Sequence, residues 1–235
     1  CIYEFGWSRN DFNKLASATV AGHVVECGAQ CTGGNFTKWN QIDNFSDIGY
    51  PIVSINETGV FDIIKPPNTG GLINYYTVAE QILYELGDPT CYISPDVCVD
   101  FTSFVLEDIG NDCVVVTGVK GSKPTETYKV SISYFAGYKA SGQLTASGPR
   151  AYEKAKLTSE IIWKRLSNAG VIFEDTSTEY MGISSCHGRI NPMPERVNEV
   201  VLRLGVKDQD KGKVNRFGME IAPLITSGPP GITGF

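Results

Sequence analysis

The chain has 235 residues, 42% hydrophobic and 20% charged, with a formal net charge of -6. That is ordinary globular composition, and the length suffices to bury one large core or two smaller ones. The acidic balance excludes a general attraction to nucleic acid or to an acidic membrane surface, and no apolar run approaches the roughly 18 residues of a membrane helix.

Ser8-Arg9-Asn10-Asp11 offers N-cap residues, and Phe12, Leu15, Ala16, Thr19, Val20, His23 and Val24 recur at steps of three and four. This spacing predicts a helix over Asp11–Val25 that Gly28 ends. A Gly-rich loop over 28–35 follows, then a mixed stretch in which Trp39 and Phe45 are expected to anchor a loop from beneath. Pro51–Ile55 and Val60–Ile64 read as two strands joined by a turn at Asn56-Glu57-Thr58-Gly59, a hairpin. A second Gly-rich loop runs from Lys65 to Gly71. Thr77-Val78-Ala79-Glu80 reads as a capping box, with Val78, Ile82, Leu83 and Leu86 as the apolar face and Gly87 as the stop.

Ile93–Val97 reads as a turn, followed by strand-like segments at Cys98–Phe101, Val105–Asp108 and Cys113–Val119. Tyr128–Ala136 alternates and is expected as a strand. Gly148–Asn168 is an amphipathic helix. Val171–Glu174 begins a strand, Arg196–Val206 alternates as another, Val214–Ile221 is helical, and Ser227–Gly231 closes the chain as a loop. Strands and helices interleave, so the expected class is α/β or α+β: a mixed β-sheet with flanking helices.

Seven cysteines at irregular spacing lack the density of a secreted scaffold and read as reduced thiols of a cytoplasmic protein. The N-x-[ST] matches at Asn35, Asn44 and Asn56 are near chance in a chain rich in Asn, Ser and Thr. The apolar start at Cys1-Ile2-Tyr3, with no leader pattern, reads as an interrupted fold.

Chemistry concentrates in the ten residues from Glu26 to Asn35. Consecutive glycines at Gly33-Gly34 and Gly70-Gly71 expose main-chain amides that can form an anion-binding nest, or can serve tight turns alone. Glu26, at a helix end, is a candidate acid or base if an apolar pocket raises its pKa; the alternative is a capping carboxylate. Cys27 is a candidate nucleophile or a small buried thiol. Gln30, Thr32, Asn35, Lys65, Thr69 and Asp96 are candidate ligand contacts, with turn and cap roles as the alternative. His23, Cys27 and Cys31 are spaced by four, but Gly28 breaks the helix before Cys31, and no metal site is predicted. No Walker, dinucleotide or G-x-S-x-G fingerprint is present.

Glu26-Cys27-Gly28-Ala29-Gln30 with Thr32-Gly33-Gly34 resembles the signature of the acyclic terpene utilisation (AtuA-like) family. So do Gly49-Tyr50-Pro51, Lys65 with Thr69-Gly70-Gly71, Thr77–Gln81 with Asp88-Pro89, Pro95-Asp96-Val97, Arg216-Phe217-Gly218, Ala222-Pro223-Leu224 and Thr226–Gly231. The similarity runs from about Asp11 to Gly234. It implies that 1–235 is either a single domain, with a candidate sub-boundary near 145–150, or the C-terminal portion of a longer two-part α/β domain. It also implies a place in bacterial catabolism of citronellol- and geraniol-type isoprenoids through acyl-CoA intermediates.

The expectation is therefore an enzyme, or enzyme half, with lyase, hydratase or hydrolase chemistry on a small carboxylate or acyl-CoA. Glu26 and Cys27 would be the reactive groups, and Gln30, Thr32, Gly33, Gly34, Asn35, Lys65, Thr69, Gly70, Gly71 and Asp96 would hold the ligand. No cofactor is expected beyond coenzyme A as part of the substrate, and no nucleic-acid or membrane partner. An oligomer, or a partner supplying an N-terminal half, is expected. The alternative is a non-catalytic binding or assembly subunit.

Overall fold

The computed structural model describes residues 1–190 and 196–234. The chain is a mixed α/β protein whose strands form three antiparallel sheets among these residues. It divides into two compact units, Cys1–Ser131 and Ile132–Phe235. The expected sub-boundary near 145–150 falls at the end of a strand and the turn after it.

The first unit opens with a short helix α1 (Ile2–Phe5) and the long helix α2 (Phe12–Glu26). Asp11 sits at the start of α2, and its carboxylate accepts the Ser8 amide at 2.8 Å. Gly28, with φ +56, turns the chain out of the helix into a 3-10 turn over Gly28–Gln30. Strands β1 (Ile52–Ile55) and β2 (Phe61–Ile64) form the expected hairpin. Its turn is fixed by Asn56, whose side chain accepts the Thr58 amide at 2.9 Å.

Strands β5 (Val105–Asp108) and β6 (Val114–Thr117) complete a sheet of order β1-β2-β6-β5. Alternation along β2 buries Phe61 and Ile63, which face Val116 and Val114 across the ladder. Burying each such side chain contributes about 1.5–3 kcal/mol. Strands β3 (Tyr92–Ile93), β4 (Cys98–Asp100) and β7 (Lys120–Ser122) form a second sheet. Leu15, Ala16, Val20 and Val24 of α2 share one core with residues of both sheets.

Helix α3 (Tyr75–Leu83) differs at both ends from the sequence expectation. Its N-cap is Asn74, and Thr77 is the N3 partner of a reciprocal capping box rather than the cap itself. Asn competes as well as Thr for this position, so the box shifts by one turn. The helix ends before Gly87, and Leu83 is exposed rather than part of the buried face. Trp39 and Phe45 do not anchor a loop from beneath: they are 66% and 49% exposed.

In the second unit, β8 (Tyr138–Ser147), α4 (Ala151–Asn168), β9 (Asp175–Met181), β10 (Glu199–Asp208), α5 (Lys211–Ile221), the short α6 (Leu224–Ser227) and β11 (Ile232–Thr233) follow in order. The sheet order is β11-β8-β10-β9, every neighbouring pair antiparallel. This is the βαββαβ arrangement of a split-βαβ unit. Val200, Leu202, Leu204 and Val206 of β10 are buried in one core with Ala155, Ile162, Leu166 and Phe217 of α4 and α5.

Tyr128–Ala136 is not a strand. It straddles the boundary between the units without a ladder partner, and Tyr128, Ile132 and Tyr134 are about four-fifths exposed. The strand lies ten residues on, in β8, whose Lys-Ala-Ser-Gly-Gln sequence carries little apolar signal. Val171–Glu174 does not begin a strand either. Gly170, with φ +71, ends α4, the Val171 amide returns to the Leu166 carbonyl to finish the helix, and the strand starts only at Asp175.

Candidate functional site

Three segments cross at the C-terminal end of α2: residues 29–34, 44–49 and 69–72. The Thr32 hydroxyl, fully buried, lies 2.6 Å from the Gly49 carbonyl and 2.9 Å from that of Ala29. The Leu72 amide donates to Thr32 O at 2.9 Å, the Gly70 amide to Asp47 O at 2.7 Å, and the Asn44 amide to Gly70 O at 3.2 Å. The two Gly-rich loops therefore do converge.

Three of the four glycine amides, however, are spent on nearby carbonyls, Gly70 on Asp47 O across the crossing and Gly33 and Gly34 within their own loop. Gly33 donates to Gln30 O at 3.1 Å and Gly34 to Ala29 O at 2.8 Å. The glycines serve close approach. A Cβ on Gly71 would lie 2.2 Å from Ile48 O, one on Gly70 2.3 Å from Asn44 Cβ, and one on Gly49 2.7 Å from Thr69 Oγ1. The tight-turn alternative describes these loops better than an open anion nest.

Lys65 is likewise engaged. Its side chain is 8% exposed, forms an ion pair with Asp112 at 3.3 Å and donates to Thr69 O at 2.9 Å. Asp112 also accepts the Ile73 amide at 2.9 Å, which ties the start of α3 to the β5–β6 turn. Thr69 donates its hydroxyl to Pro66 O at 2.8 Å. Asp112 was not singled out from sequence, although Gly110-Asn111-Asp112 is a turn signal there.

Glu26 and Cys27 stand where predicted, at the end of α2. Glu26 is not in an apolar pocket: its side chain is 60% exposed. One carboxylate oxygen lies 3.5 Å from Nδ1 of His23, whose side chain is only 6% exposed. The imidazole packs edge-on against Phe101 with centroids 5.5 Å apart. Among the described residues neither His23 nitrogen has a hydrogen-bond partner, and neither does Oε1 of the fully buried Gln81, whose Nε2 donates to His23 O at 2.8 Å.

The charge of Glu85 beside Tyr84 pushes that phenol above its ordinary value, with smaller pushes from Cys27 and Glu26. The Glu26 and Glu85 carboxylates are thus both close enough to act on the Tyr84 phenol. Burial pushes the neighbouring Cys31 thiol up to about 12, so Cys31 stays a neutral core group at neutral pH.

Gln30 is half-buried and its carbonyl closes the turn to Gly33. Asn35 is exposed with φ +58, a turn conformation in which asparagine is enriched. Asp96 is not brought to this region. It lies on the β3–β4 turn beside Leu15, at the other end of α2. Eleven residues of helix separate Leu15 from Glu26, about 16 Å at 1.5 Å per residue. The sequence offers His23 only as a metal ligand with Cys27 and Cys31, and its pairing with Gln81 is missed. A polar residue on an apolar stripe, twice on facing helices, is the signal that could have found it.

A model of the acyclic terpene utilisation family protein AtuA matches residues 1–235. The chain belongs to this family. No curated protein and no solved structure matches it. In this AtuA-family chain the blocks at 26–34, 49–51 and 65–71 each contribute residues to the crossing: Ala29 to Gly34, Gly49, and Thr69 to Gly71. No helix among the described residues is long and apolar enough to cross a membrane.

Proposed function

We propose that this chain works in the cytoplasm in the breakdown of acyclic isoprenoids, as an enzyme or one part of one, acting on a small branched carboxylate or its acyl-CoA thioester. Family membership over residues 1–235 supports the pathway, and seven free cysteines support the reducing compartment. The observation that carries the chemical role is the Glu26–His23 pair: an exposed carboxylate held against a buried imidazole. A carboxylate so placed, 3.5 Å from the ring nitrogen, exchanges protons with a bound ligand at the surface. Coenzyme A enters as part of the substrate. The loop crossing fixes where α2 ends and so positions Glu26, instead of offering its own amides. Cys27 lines the same end of the helix.

The test is Glu26→Gln, assayed for turnover of branched acyl-CoAs and for thermal stability. Turnover should vanish, while stability changes by less than about 0.5 kcal/mol, as for other exposed positions. Turnover that survives the substitution overturns the assignment. The satisfied loop amides favour a second reading, a binding or assembly subunit that completes a site with a separate chain. An obligate hetero-complex by sedimentation, with no thermal shift from acyl-CoAs, would select it.

A further inference from the structure

Alternation along β10 leaves a second row of side chains, Val201, Arg203, Gly205 and Lys207, on the sheet face opposite the core. Register places this row between Ser141 and Lys139 of β8 and Ser177, Glu179 and Asp175 of β9. The face carries a depression of about 550 Å³ lined by these residues. It is polar and lacks the stacking aromatics of single-strand RNA readers.

Two features there have no structural return. The first is Gly205. A mid-strand glycine costs about 0.5–1 kcal/mol relative to alanine. Gly142, its partner on β8, repays that cost: a Cβ there would strike Ile221 at 2.7 Å. Gly205 does not. Its φ is not positive, the nearest backbone atom to an added Cβ is 3.9 Å away, and the only close contact is the rotatable Ser177 hydroxyl at 2.5 Å. A bare strand position with no packing reason marks close approach by something else.

The second is the pair Lys139 and Lys207, which are register partners. Like charges directly opposite one another on a sheet face are destabilising. Neither ammonium forms an ion pair among the described residues, although Asp175 is the register partner of Lys207 on the other side. Arg203, by contrast, is bound to Glu179. The Ser141 and Ser177 hydroxyls flank Gly205 in the next row, and neither is hydrogen-bonded among the described residues.

We propose that this face binds the phosphate group of a small molecule. The phosphate sits over Gly205, between the two lysines, and takes hydrogen bonds from Ser141 and Ser177. A phosphate near two charges balances both ammonium groups, which a carboxylate with one charge leaves half-neutralised. The site is independent of Glu26 and of the function proposed above.

The full chain, labelled with ¹⁵N, is titrated with inorganic phosphate, glycerol phosphate and acetate at constant ionic strength. Phosphate should shift the amides of 139–141, 175–177 and 203–207 in a saturable way, and acetate should not. A tighter response to glycerol phosphate than to inorganic phosphate would identify an ester as the ligand, and equal responses free phosphate; both support the site. Lys207→Gln should weaken binding about tenfold, the scale of one charge-assisted contact, with little change in melting temperature, because the like-charge partner Lys139 and the opposite-charge partner Asp175 are lost together. No localised shift, equal shifts with acetate, or binding untouched by Lys207→Gln overturns the proposal. So does a change in sedimentation mass on Gly205→Leu, which would make the face an interface between copies.

Discussion

Gly71→Ala separates a packing role from a ligand-binding role for the second Gly-rich loop. The added methyl carbon would lie 2.2 Å from Ile48 O and 2.7 Å from Thr32 O. Both are carbonyl oxygens within the crossing, not the ends of flexible side chains, so one segment must move. Relieving such an overlap costs about 1–3 kcal/mol. Moving Thr32 O also loosens the 2.9 Å bond from Leu72 N, which costs about 0.5–1.5 kcal/mol more. The sum is about 1.5–4.5 kcal/mol. With an unfolding entropy of roughly 2.1 cal/mol/K per residue over a unit of this size, each kcal/mol shifts the midpoint by roughly 3–4 °C.

The expected loss in Gly71→Ala is therefore roughly 5–17 °C, read by far-UV circular dichroism, with faster exchange of the Leu72 amide. Gly87→Ala is the control. Nothing lies within 4 Å of its added methyl and its φ is not positive, so its effect should stay within about 0.5 kcal/mol. A Gly71→Ala protein that melts with the wild type would refute the packing account. If that protein had also lost its response to anions, the nest reading would return.

Two further outcomes rest on titrating groups. Cys31 has its thiol pushed to about 12 by burial, so a thiol reagent at pH 8 should label the exposed Cys1, Cys91 and Cys186 and spare Cys31 until the chain unfolds. The sign for stability follows. The unfolded chain releases this proton near 9 and the folded chain near 12, so native stability is whole below pH 9 and falls as pH rises through that window. Asp208 is held below the ordinary carboxylate range by the backbone amide of Asp210 first and by Lys213 with it. Its contribution is present above that range and lost as pH falls through it, so Asp208→Asn should flatten the acid limb of urea midpoints measured from pH 7 down to pH 2.

Most of the regular structure was legible where burial and pattern agree. The β1–β2 hairpin carries its turn chemistry in Asn56–Gly59, and α2 carries apolar residues at helical steps up to a left-handed Gly28. What failed was decided by partners distant in sequence. Tyr128–Ala136 has the alternation of a strand and no ladder partner, whereas polar β8 becomes a strand because β10 and β11 pair with it on both sides. The candidate site was legible in part. Glu26, Cys27 and the two loops come to one end of α2, but Asp96 goes to the other, and sequence could not show that Asp112 would claim Lys65.

The glycine pairs show what sequence lacks in such a case. Thr32-Gly33-Gly34 and Thr69-Gly70-Gly71 look alike as anion loops and as crossing points, because both roles need a missing Cβ. The roles differ in where the amide hydrogens point. At the crossing, Gly33, Gly34, Gly70 and Leu72 donate to carbonyls. An anion there would have to displace bonds worth about 0.5–1.5 kcal/mol each before gaining any contact of its own. At Gly205 the order is reversed. No backbone neighbour needs the missing Cβ, while two ammonium groups and two hydroxyls stand around it without an ion-pair or hydrogen-bond partner among the described residues. Unspent donors, rather than glycine content, mark the surface on which this chain can take up a negative charge.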